Sequence, residues 1–280
     1  MHSLRSVSAV LVLAFLLAAC GQKANLPPEE VIRRAIIKSN TVQSFAVSLS
    51  AQMQTDETQA LSGSVILQAI VRSGGQVWSA DTSFEIESTM PRGHERASGR
   101  LIAISPGTGQ TYLRLESAEG ALGELLKKSF SGSNNGWMVY GQNSDKKLLP
   151  RDTPDPQQLS SYADVIVVTE NLGTKKDETG RVLYHYRVAL KPELLSSLHQ
   201  EEVSDTEHQV RAEGEMWIDS DNFSLLRAKW DLGGVPTSLG NMTLRIDALF
   251  SQYDSASGIQ TPVGSAALLP LESIFAIFSQ

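Results

Sequence analysis

From Ser44 to Gln54 the chain reads SFAVSLSAQMQ: Phe45, Val47, Leu49, Ala51 and Met53 are apolar, and small or polar residues alternate with them. A side-chain period of two belongs to a strand with one covered face and one wet face. The period returns in VWSADTSFEIESTM, where Trp78, Ala80, Phe84, Ile86 and Met90 point one way and Asp81, Glu85 and Glu87 the other. RVLYHYRVAL repeats it with Val182, Tyr184, Tyr186, Val188 and Leu190. HQVRAEGEMWID does so with Val210, Ala212, Met216 and Ile218, and NMTLRIDALFSQYD with Met242, Leu244, Ile246, Ala248 and Phe250. SVILQAIV is apolar on both faces and suits a central position.

Shorter strands are expected in GRLIAIS and QTYLRLES, split at Pro106-Gly107, in WMVY, and in FSLLRAKWDL after a turn over Asp219–Asn222. Roughly nine to eleven strands in sequence-local hairpins predict an antiparallel sheet, and long twisted strands in one sheet curl. The expected fold class is therefore α+β: a single curved antiparallel sheet with helices over its concave apolar face. One helix is expected from Pro27 to Asn40, where proline and two acids suit a helix start and Val31, Ile32, Ala35 and Ile36 share a face. A second is expected from Ser117 to Phe130, with Leu122, Leu125, Leu126 and Phe130 on one stripe. Short helices are expected near Leu159 to Ala163 and after Pro192, and the apolar ending LLPLESIFAIFSQ reads as a last one.

Before all of this stands an apolar run from Val7 to Ala19, broken by Ser8 and preceded by Arg5. It is shorter than the ~20 residues a spanning helix needs and fits the apolar part of a secretion signal. It ends in Leu17-Ala18-Ala19-Cys20, which contains the only cysteine of the chain. These four residues resemble the lipobox of bacterial lipoproteins, which implies that Cys20 receives a diacylglyceryl group and becomes the first residue after cleavage. The other reading is a plain secretion signal with an incidental cysteine. Two acyl chains anchor stably where one does not. Gly21 stands where such lipoproteins carry an aspartate for retention at the inner membrane. The resemblance thus implies tethering to the outer membrane, or to the outer face of the plasma membrane in a single-membrane host. The expected organisation is residues 1–19 as signal peptide, 20–26 as lipidated anchor and linker, and 27–280 as a single domain.

The strand pattern itself resembles the LolA/LolB-like and LppX/LprG-like lipoproteins of bacterial envelopes. A helix follows the anchor, then the long SFAVSLSAQMQ strand, then LIAISPGTGQTYLRLES and Gly136-Trp137. The nearest likeness is GEMWIDSDNFSLLRAKWDL followed by MTLRIDALFSQYDSASGIQTPV. The resemblance implies a half-barrel whose helices roof an apolar cavity for acyl chains. It transfers no individual residue, because the family has no short ligand motif. The candidate cavity-lining residues come from alternation instead: Phe45, Val47, Leu49, Trp78, Phe84, Ile86, Tyr186, Val188, Met216, Ile218, Leu244 and Ile246.

The sequence carries no other recognisable chemistry. With a net charge of −7, the chain lacks the clustered positive charge of a nucleic-acid binder. His94, His185, His199 and His208 show no metal-ligand spacing, and no nucleophile elbow or phosphate loop occurs. His185 is expected to be solvated or hydrogen-bonded. Asp219–Asn222 resembles the start of a calcium loop but lacks its later ligands, so a hairpin turn is expected. Glu85 and Glu87 read as a solvated outer face. The expectation is a non-enzyme with no cofactor and no metal. A monomer is expected, with the membrane, a lipid or acylated ligand and an envelope protein as partners. The alternatives are an envelope scaffold or sensor module with a packed core, and an unrecognised hydrolase.

Overall fold

The computed structural model describes residues 26–55, 61–72, 77–90, 93–107, 110–131, 136–140, 165–191, 210–237, 240–262 and 267–268. The Cys20 anchor, the signal and linker, the short helices expected near Leu159 and after Pro192, and the apolar ending past Leu268 lie outside the described residues.

Helix α1 spans Pro28–Thr41 and α2 spans Gly120–Phe130. The strands are β1 (Ser44–Thr55), β2 (Leu61–Arg72), β3 (Val77–Met90), β4 (Gly93–Pro106), β5 (Thr111–Glu119) and β6 (Met138–Tyr140). They continue with β7 (Ile166–Lys176), β8 (Val182–Leu190), β9 (Arg211–Asp219), β10 (Leu225–Thr237), β11 (Gly240–Ser251) and the two-residue β12 (Ala267–Leu268). All twelve join one open sheet in the order β12-β6-β5-β4-β3-β2-β1-β11-β10-β9-β8-β7. Five successive antiparallel pairings carry the chain from β1 out to β6. Four more bring it back from the far edge, β7, to β11. The β1–β11 pairing welds the two runs in the middle, and only the short β12–β6 pairing is parallel. The sheet thus matches the expected antiparallel class.

Alternation drives this assembly, because paired strands place directly opposed residues on the same face. Val47 pairs with Phe250 and Ala69, and Ala69 with Ala80. Each pairing therefore extends one apolar face. Helix α1 packs on that face at the β7–β10 end. Its Val31, Ile32 and Ala35 meet Tyr186, Val188, Met216 and Ile218 in the fully buried core, with Ile166, Tyr184, Phe223 and Trp230 around them. Burying a side chain such as Val or Ile contributes about 1.5–3 kcal/mol. Glu30 accepts hydrogen bonds from Arg33 at 3.2 Å and Arg34 at 2.8 Å on the outer side of the helix. At the other end α2 lies beside β4 and β5. Among the described residues α1 packs into the core on the apolar face and α2 lies beside β4 and β5; the expected helices across the whole face are not seen.

Four local expectations need correction. The helix expected from Ser117 starts at Gly120, because Ser117 and Glu119 continue β5 by pairing with Arg100 and Ser98. Gly120 makes the break with φ +79°, and a Cβ there would sit 1.9 Å from the Arg96 carbonyl oxygen. In α2 the expected stripe is incomplete, since Leu125 is exposed. Strand β7 was not expected at all. Two irregularities in its pairing with β8 interrupt its alternation, and its second half is polar. In β8, Val182 is exposed while Leu183 and His185 of the opposite face are buried.

Candidate functional site

Register places all twelve candidate residues on one face of the sheet. Phe45 pairs with Val71 and that with Trp78; Leu244 pairs with Met53; Trp230 pairs with both Ile246 and Gly214. Gly214 in turn pairs with Val188, and Met216 with Tyr186. The face continues through residues outside the candidate set. Leu101 pairs with Leu115 and Ala103 with Leu113 on β4 and β5, and Leu232 pairs with Leu244 on β10. Trp230 had a readable signal, alternating with Ala228 and Leu232. Leu113 and Leu115 also had a readable signal, alternating within QTYLRLES, a strand already expected.

The face divides by burial. Tyr186, Val188, Met216 and Ile218 are at most 3% exposed, because α1 seals them. Phe45, Val47, Leu49, Trp78, Phe84, Ile86, Leu244 and Ile246 are only half-buried. They occupy β1, β3 and β11, the middle of the sheet, away from the end that α1 seals. Phe45 stands 6.1 Å from both Phe250 and Tyr253, forming an aromatic wall where β1 meets β11. Burial raises the phenol of Tyr253 above its usual range, and that of Tyr186 to about 12, so both stay neutral and protonated at physiological pH. The half-buried middle of this face offers hydrocarbon contact and no charge.

The opposite face is its chemical inverse. Arg227 grips Asp247 through two hydrogen bonds of 2.9 and 2.5 Å, with Lys229 at 3.9 Å. Arg100 grips Asp81, Arg187 pairs with Glu170, and Arg96 with Glu85 and Glu87. Hydrogen bonds from Arg227 and Arg100 hold the carboxyls of Asp247 and Asp81 below the usual range. Glu85 and Glu87 are thus ion-paired members of an outer face. His185 lies within the same face, 4% exposed, stacked on Trp217 at 4.5 Å with Nε2 2.9 Å from Glu215. It is hydrogen-bonded as expected, but buried. Clefts of about 540 and 530 Å³ on this side are walled mainly by Gln52, Glu85, Arg187, Glu215, Lys229 and Arg245. Paired charges of this kind line no hydrocarbon site.

At Asp219–Asn222 the chain does make the expected turn. Asp219 Oδ1 accepts the amides of Asp221 at 2.7 Å and Asn222 at 3.3 Å, and Phe223 follows with φ 60°. Those bonds use the carboxylate that a cation would need. Among the described residues no group of three His, Cys, Asp or Glu side chains is placed to hold a metal ion. No described helix is long and apolar enough to cross a membrane.

No family model matches the chain, and no curated protein does. Solved structures do match it. A LolA superfamily protein from Nitrosomonas europaea is 9% identical, with 84% of this chain and 96% of that one covered and a TM-score of 0.24. An outer membrane lipoprotein-sorting protein domain from Vibrio parahaemolyticus is 11% identical over 83% and 93%, with a TM-score of 0.26. A β-barrel-like protein of a domain of unknown function from Brucella abortus is 9% identical over 76% and 100%, with a TM-score of 0.27. These include the group that the sequence resembles. At such identities and scores they add nothing to what the strand order of this chain shows.

Proposed function

We propose that this chain is a lipid-anchored protein of the bacterial envelope that binds or carries an apolar ligand without catalysis. The ligand is a lipid, a glycolipid or the acyl chain of a lipoprotein. The observation that carries this reading is the division of a single apolar face. One end is sealed by α1, whereas eight large or branched apolar side chains in the middle stay half-buried. A contiguous apolar surface left half-open marks a place where something binds rather than a filled core. Cys20 supplies the tether, and residues 27–280 form the body that holds the ligand. Each methylene moved from water onto the face contributes about 0.8 kcal/mol, so one chain gains several kcal/mol.

The test is native mass spectrometry of protein purified without detergent, followed by lipid extraction. The reading expects a co-purifying lipid mass, and displacement of that lipid by a fluorescent fatty acid. A ligand-free protein that also leaves the probe's fluorescence unchanged contradicts it.

A further inference from the structure

Three of the largest side chains on the apolar face have a glycine directly across the strand: Met53 faces Gly63, Phe84 faces Gly99 and Trp230 faces Gly214. A Cβ at Gly63 would lie 2.6 Å from Met53 Cε. One at Gly99 would lie 2.7 Å from Phe84 Cζ, and one at Gly214 would lie 2.9 Å from Cδ2 of the Trp230 indole. Each side chain therefore leans over its neighbouring strand and occupies the volume that any other residue's Cβ would take. A glycine within a strand weakens it and marks close approach by another group. Here the approaching group is the apolar side chain itself.

We propose that Gly63 and Gly99 set the depth of the ligand site, by letting Met53 and Phe84 lie along the sheet rather than stand on it; Trp230 over Gly214 does the same beside the end that α1 seals. This rests on the ligand-binding reading above. Side chains on a sheet ordinarily stand roughly perpendicular to it. A ring lying down fills only the first ~3.5–4 Å above the backbone, one carbon–carbon contact distance. A flattened floor therefore lies closer to the sheet than upright side chains would, and a single layer of hydrocarbon can rest on it. The ligand class that fits is a thin acyl chain laid along the floor. The three glycines differ in what else they touch. A Cβ at Gly99 also meets the Ser117 carbonyl oxygen at 2.8 Å, and one at Gly214 meets that of Lys229 at 2.3 Å. At Gly63 the closest atom is the flexible end of Met53, with the Glu85 carbonyl oxygen at 3.2 Å. Gly63 is therefore where the floor can be raised with least damage to the sheet.

The experiment titrates the full chain with cis-parinaric acid, a fluorescent fatty acid, and compares Gly63→Val, the pair Gly63→Val with Met53→Ala, and Ser64→Val on the opposite face. Circular dichroism reports folding. Gly63→Val should weaken probe binding by about fivefold or more, a loss of ~1 kcal/mol. Removing the displaced side chain in the double variant should restore binding to within about twofold, and Ser64→Val should bind as the unsubstituted chain does. Folded Gly63→Val with unchanged affinity, or a double variant without recovery, overturns the proposal. If Gly63→Val does not fold, Gly63→Ala carries the expectation at about twofold, and equal binding again overturns it. Failure of the unsubstituted chain to bind the probe counts instead against the ligand-binding reading itself.

Discussion

Asp247 and Asp81 show what single residues contribute on the charged face. Arg227 and Arg100 hold their carboxyls below the usual range chiefly through hydrogen bonds; burial opposes this, and the attraction of the guanidinium charge is a smaller contribution. A carboxyl whose folded pKa is depressed stabilises the fold above its unfolded pKa of ~3.9, and loses that contribution as pH falls through the folded value. Both carboxylates are 35% exposed and their arginines 52% and 37%, so screening limits each pair to no more than about 1 kcal/mol. The urea midpoint should therefore be flat from neutral pH to about 5 and fall below about 4. In Asp247→Asn it should start lower at neutral pH and fall less steeply in acid. An unchanged acid slope in that variant contradicts the assignment.

At the scale of elements, α1 matters most, because it decides which part of the apolar face is closed. Ile32 is 1% exposed and sits against Tyr186, Val188, Met216 and Ile218. Ile32→Ala should cost about 2–5 kcal/mol in chemical denaturation. The equivalent change at Ile37, on the exposed side of the same helix, should cost under ~0.5 kcal/mol. Equal losses at both positions contradict the packing described. This element was readable from sequence because its period of 3.6 and its proline start agree. Most strands were readable for the same reason, since β1, β3, β9 and β11 keep strict alternation. Strand β7 was hidden because its bulges shift the register between Val168 and Glu170 and between Asn171 and Thr174. The start of α2 was hidden because Ser117-Ala118-Glu119 suits a helix locally, while pairing with β4 claims it for the sheet. His185 was placed on the wet side by alternation, and the stacked Trp217 ring that buries it comes from a strand distant in sequence.

At the scale of the molecule, the two faces assign different roles to one sheet. Alternation alone located the twelve candidate residues on a common face. It was blind to the pairings of Met53, Phe84 and Trp230 with glycines, because a glycine reads as a gap until register is known. The proposed tether adds its own expectation. Cys20→Ser should release the protein from the membrane fraction and abolish incorporation of a palmitate analogue, while circular dichroism of the body stays unchanged. Retention of the label in that variant contradicts an anchor at Cys20.

The most direct measurement of the central claim is the mass of the intact folded chain, released gently from its membrane without detergent. The account expects a peak heavier than the lipidated polypeptide by one lipid, returning to the polypeptide mass when the protein is unfolded. A folded protein at the mass of the lipidated polypeptide alone, refusing added fatty acid at micromolar concentration, contradicts it.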